Sequence, residues 1–115
     1  MAGALYRTTD NFSTFQQVFS APTNFLLNDF IVLPNGEVSV TSYNKIWSSP
    51  NGNAGTFVLS NTGIASNVNF MRLAACSSQP SIRYAMASFS NYLSLYKTVN
   101  GGSSWNYRYN RIWSR

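Results

Sequence analysis

Three stretches of this 115-residue chain each run from an apolar strand, through a turn of small polar residues, to an aromatic. They are residues 4–15 around Asp10, 45–57 around Asn51 and 94–105 around Asn100. These centres stand about 40 to 50 residues apart, a period typical of repeated supersecondary units. Such a unit cannot bury its apolar face alone, so it needs neighbours of its own kind.

Between and around these turns the chain reads as strands and gives no convincing helix. Alternation with β-branched and aromatic residues marks Phe15 to Phe19, Phe30 to Leu33, Val38 to Tyr43, Lys45 to Trp47, Thr56 to Leu59, Val68 to Leu73, Ile82 to Phe89, Ser94 to Thr98 and Trp105 to Trp113. Pro34-Asn35-Gly36, Ser49 to Asn53, Asn61-Thr62-Gly63, Ser77 to Ser81 and Asn100-Gly101-Gly102 supply the turns. Counted in order with the apolar strand that opens residues 4–15, these segments give two strands around the first turn and then two groups of four, with the repeated turn between the third and fourth strands of each group. The reading is one all-β domain over 1–115, with units at 1–27, 28–62 and 63–115. Ala74, Ala75, Ala85 and Ala87 are expected on strands where packing is crowded, and Cys76 beside them as a small buried residue.

Several chemistries are closed to this composition. The chain has no histidine, which removes the usual general base and the commonest transition-metal ligand. A single cysteine allows neither an intrachain disulfide nor a multi-cysteine zinc site, and no cofactor is implied. The net charge of +5 arises from eight basic residues against three acids, Asp10, Asp29 and Glu37. The basic residues are scattered apart from Arg108, Arg111 and Arg115, so the charge reflects a shortage of acids, and nucleic acid is not an expected partner. The opening residues lack the basic head and long apolar stretch of a signal peptide, and no segment reads as a membrane span. Localisation is open, and a virion component is compatible with the Asn/Ser/Thr-rich surface.

The repeated turn resembles the Asp-box of the bacterial neuraminidase repeat, Ser/Thr-x-Asp-x-Gly-x-x-Trp/Phe. Thr98-Val99-Asn100-Gly101-Gly102-Ser103-Ser104-Trp105 fits it with Asn for Asp. Thr8 to Phe15 keeps the acid but has Phe12 at the glycine position, and Ser49 to Phe57 carries Asn51 and an extra residue. The resemblance implies antiparallel four-stranded propeller-like blades with this turn joining strands three and four. It also implies a structural role for Asp10, Asn51, Asn100 and Gly102: an acid or amide oxygen accepts backbone N–H groups of its own turn, and glycine supplies the left-handed conformation. A compact β-sandwich is the alternative architecture.

Sialidases that share this box use an arginine triad, a tyrosine nucleophile supported by a glutamate, and an aspartate, whereas here Glu37 is the only glutamate and sits in a hairpin turn. Other glycosidases need two carboxylates about a sugar bond, and Asp10 is already assigned to a turn. Residues 98–103 lack the lysine and following helix of a phosphate loop. The expectation is a non-catalytic protein. Two and a half blades cannot close a ring, so a homo-oligomer, dimer or trimer, is expected to complete it. The protein then reads as a structural or adhesion component, such as a phage collar, tail or head-decoration module, docking on other structural subunits. A glycan-binding propeller lectin is the alternative. Tyr107, Arg108, Tyr109, Arg111 and Trp113 form the best mixed aromatic and basic patch for a ligand or partner, with Tyr107 and Tyr109 on one strand face and Arg108 on the other. Trp47 and Tyr96, at equivalent repeat positions, are expected to be packing residues.

Overall fold

A computed structural model describes residues 3–22 and 26–112. Among them are ten strands and no helix: β1 (Ala4–Arg7), β2 (Gln16–Ser20), β3 (Asp29–Val32), β4 (Val38–Ser42), β5 (Lys45–Ser49), β6 (Val58–Leu59), β7 (Phe70–Cys76), β8 (Gln79–Ser88), β9 (Tyr92–Thr98) and β10 (Asn106–Ile112). All pairings are antiparallel between consecutive strands. They form an N-terminal hairpin β1-β2, a middle sheet β3-β4-β5-β6 and a C-terminal sheet β7-β8-β9-β10, none closed into a barrel. The three repeated turns join β1 to β2, β5 to β6 and β9 to β10.

Both faces of the middle sheet are packed along its central strands, β4 and β5. One face carries Val38, Val40 and Trp47, all buried, and receives the hairpin: the Phe19 ring lies 5.0 Å from Trp47 and 5.1 Å from Phe57. Alternation sends Ser39, Thr41 and Ile46 to the opposite face. Ile46 there enters a core with Met71, Ala85, Ala87 and Tyr96 of the C-terminal sheet and with Val68, Phe89 and Trp105 beside it. The sheets approach most closely where β7 lies against β3 and β4. Ala85 and Ala87 are fully buried in this seam, where a larger side chain would hold the sheets apart.

Several expectations are corrected. Cys76 is exposed, as are Ala74 and Ala75, because this end of β7 runs past the middle sheet into a short β7-β8 turn. The anticipated loop 77–81 shrinks to two residues, with Pro80 already on β8 beside a bulge that tolerates it. β6 starts at Val58 rather than Thr56, since the Thr56 hydroxyl donates to Asn53 O at 2.6 Å and belongs to the turn. In β10 the register slips at Arg108: Tyr107 pairs with Tyr96 but Tyr109 pairs with Leu95.

Candidate functional site

The three turns share one bonding scheme. In the first, Asp10 Oδ1 accepts the Thr14 N–H at 2.9 Å, and Thr8 Oγ1 accepts the Phe12 N–H at 3.0 Å while donating to Asp10 Oδ1. In the third, Asn100 Oδ1 accepts the Ser104 N–H at 3.0 Å, and Thr98 Oγ1 accepts the Gly102 N–H at 2.9 Å while donating to Asn100 Oδ1. Asn therefore stands in for Asp with the same acceptor contacts kept, because these need an oxygen and not a charge. The second turn keeps the hydroxyl and the amide but closes tighter: Ser49 Oγ accepts from Gly52 N–H, one residue earlier than in the other turns, and Asn51 Oδ1 from Asn53 N–H, two residues earlier. Asp10, Asn51, Asn100 and Gly102 are thus bound within their own turns.

Phe12 occupies the position of Gly102, and both have positive φ, 72° and 95°. A bulky side chain there carries a conformational cost that glycine does not. Phe12 is 70% exposed, so its removal sacrifices little packing. Phe12→Gly is expected to stabilise the protein by about 1 kcal/mol, read as a higher thermal midpoint.

Beyond the turns, the sheets are joined by charged groups. Arg83 on β8 is 2% exposed and spans the seam: Nε donates to Pro80 O at 2.8 Å, and Nη2 donates to Glu37 Oε2, also at 2.8 Å. Its Nη1 donates to Ser39 Oγ at 3.4 Å, the start of a hydroxyl row through Ser48 to Ser60. Glu37 sits in the β3-β4 turn as expected, but the sequence did not reveal its partner. Asp29 ties the same seam, accepting the Leu73 N–H at 2.9 Å. All three acids of the chain are therefore engaged in turn or inter-sheet contacts.

An open cleft of about 430 Å³ lies beside this seam, lined by Glu37, Ser48, Ser60, Thr62, Gly102 and Ser103 among others. It offers hydroxyls and backbone groups, and its one carboxylate is held by Arg83. Among the described residues no group of His, Cys, Asp and Glu is arranged to hold a metal ion. Burial pushes the Glu37 carboxyl up, but the hydrogen bonds from Arg83 and Asn35 and the guanidinium charge outweigh it and hold it below its ordinary value. A carboxyl depressed in the folded state stabilises above its unfolded pKa, and that contribution disappears as pH falls through the folded one. Stability is therefore expected to fall with acidification below the usual carboxylate range, and Glu37→Gln should flatten the fall; chemical denaturation at a series of pH values checks this.

Four of the five residues of the expected contact patch lie on β10. Tyr107 is 56% exposed, its ring meeting the buried Tyr96 edge-on at 6.2 Å, and Arg108 is exposed at the bulge. Tyr109 and Arg111 lie on β10 in register with Leu95 and Leu93, and Trp113 lies outside the described residues. Trp47 and Tyr96 are buried packing residues.

Comparing equivalent repeat positions isolates what is unusual here. Two residues before each turn's first hydroxyl stand Tyr6, Trp47 and Tyr96; the last two are buried, but Tyr6 is 58% exposed. Three residues before it stand Leu5, Ile46 and Leu95, of which Ile46 is fully buried beneath the C-terminal sheet and Leu95 is only half-buried. The closing aromatics behave alike: Trp105 is 4% exposed, and Phe15 is 60% exposed. Each repeat is buried where a neighbour covers it, and the stack has two uncovered ends. The outer face of the C-terminal sheet carries Phe70, Tyr84 and Met86, between 38% and 47% exposed, beside Leu93 and Leu95. No protein-family model matches the chain, and no curated protein matches it significantly in sequence.

Proposed function

We propose that this chain is a non-catalytic structural or adhesion module that self-assembles through its repeated sheets, as a component of a larger particle such as a phage collar, tail or head decoration. The hairpin and two sheets act as successive propeller-like blades, and copies associate as a dimer or trimer to cover the open ends. The observation that carries this reading is the middle sheet. Its central strands are covered on both faces by like elements, whereas a two-layer sandwich buries only the inner face of each sheet. An apolar sheet face left open is the mark of an interface. Engagement of all three acids in structural contacts supports a non-catalytic role, and burial of Trp47 and Tyr96 removes the repeated aromatic platforms that a lectin would offer.

Met86→Lys places a charge on the outer face of the C-terminal sheet without entering the core. By sedimentation it is expected to weaken association at least about tenfold with little change in thermal midpoint, as for a central interface residue. Association unaffected by this change would count against that face. A glycan array should show no saturable binding, and a defined sugar retained by the protein would favour the lectin reading.

A further inference from the structure

The two seams inside the chain join the same two kinds of face. In the first, Phe19, opposite Leu5 in the β1-β2 ladder, rests on Trp47 and Phe57 of the middle sheet. In the second, Ile46, at the repeat position of Leu5, enters a core with Tyr96 and Trp105 of the C-terminal sheet. In both, the face bearing the residue three before a turn's first hydroxyl covers two residues of the following unit. Those two are the residue two before its own first hydroxyl and its closing aromatic.

One face of each kind is left open. Leu95 stands at the position of Leu5 and Ile46, and the sheet face around it exposes Phe70, Tyr84 and Met86. Tyr6 and Phe15 stand at the positions of Trp47 and Phe57, and of Tyr96 and Trp105, yet they are 58% and 60% exposed. Two further observations match these open faces to each other. The bulge of the hairpin, which sets Gln17 opposite Tyr6 and Phe19 opposite Leu5, recurs on β10, where Tyr107 is opposite Tyr96 and Tyr109 opposite Leu95. Tyr109 therefore holds the register position of Phe19, the residue through which the hairpin meets the middle sheet. Charge also favours unlike faces. The C-terminal sheet contains no acid and carries Lys97, its ammonium 5.6 Å from the centre of the Tyr84 ring, so two such faces together would oppose like charges. The turn between Tyr6 and Phe15 has an acid, Asp10, where the other two turns have Asn51 and Asn100.

We infer that copies of the chain associate head to tail: the outer face of one C-terminal sheet lies on the Tyr6 and Phe15 face of the next copy's hairpin and repeats the contact made at both internal seams. Such a contact is heterologous, and it closes into a ring when the rotation from copy to copy allows. The inference rests on the self-assembly reading above and names the two surfaces that meet.

Two variants block one face each, Met86→Lys on the C-terminal sheet and Phe15→Lys on the hairpin. Both residues are exposed, and Tyr6→Lys replaces Phe15→Lys if thermal unfolding shows that the latter has lost its fold. By sedimentation, each variant alone should associate at least about tenfold more weakly than the unmodified protein. An equimolar mixture should form a two-chain species that neither variant forms alone at the same total concentration, because the intact sheet face of one meets the intact hairpin face of the other. Both added charges are positive, so attraction between them cannot produce that species. A mixture that stays single-chain, or either folded variant assembling like the unmodified protein, would overturn the head-to-tail contact while self-assembly stands. An unmodified protein that is a single chain at every concentration would instead overturn the self-assembly reading itself.

Discussion

Replacing Gly63 by alanine is expected to cost roughly 3 to 4 kcal/mol, combining a left-handed backbone penalty with overpacking against an immobile neighbour. Gly63 has φ of +98°, and a Cβ built there would lie 2.1 Å from the Trp105 carbonyl oxygen. That backbone cannot yield. The Trp105 N–H donates to Thr62 O at 2.8 Å and its indole Nε1–H to Ser60 O at 2.9 Å, so the closing aromatic of the third turn is clamped to the segment linking the two sheets. Gly55 provides the comparison: its φ is +80°, but an added Cβ meets nothing within 4 Å. Gly55→Ala should cost only the backbone penalty, about 1 kcal/mol. Equal losses at the two sites in urea denaturation would contradict the close approach at Gly63.

Glu37→Ala is expected to cost about 3 kcal/mol, because it strands the Arg83 guanidinium, 2% exposed, in the seam without its counter-charge. The converse change should be milder. Glu37 has a side chain 30% exposed, so after Arg83→Met water can reach its carboxylate, and the methionine refills part of the volume. The expected order, Glu37→Ala worse than Arg83→Met, distinguishes a buried-charge penalty from simple loss of a contact, and thermal or urea unfolding of the two variants reads it. The double variant should lose less than the two single losses added together, since the groups act as one unit.

These effects also show where the sequence was informative. Local signals were sufficient for the ten strands: turn residues at Pro34 to Gly36, Asn61 to Gly63 and Asn100 to Gly102 fall between observed strands, and the grouping of two, four and four matches the three sheets. The roles of Asp10, Asn51 and Asn100 were legible because their partners lie within a few residues. What could not be read depends on contacts between distant segments. Glu37 and Arg83 stand 46 residues apart, and nothing near either announces a buried ion pair. Cys76 has the small apolar neighbours of a core residue, yet its strand outruns the sheet that would cover it. The slip at Arg108 leaves no composition signal, because a bulge adds one residue without changing residue type.

The measurement that tests self-assembly most directly is the mass of the native protein across a dilution series, by sedimentation equilibrium or native mass spectrometry. The expected result is a discrete multiple of 12.8 kDa, a dimer or trimer, that shifts toward the single chain on dilution or when Met86 carries a charge. A single-chain mass at every concentration, with no partner bound, would show that the outer face of the C-terminal sheet needs no cover and would contradict self-assembly.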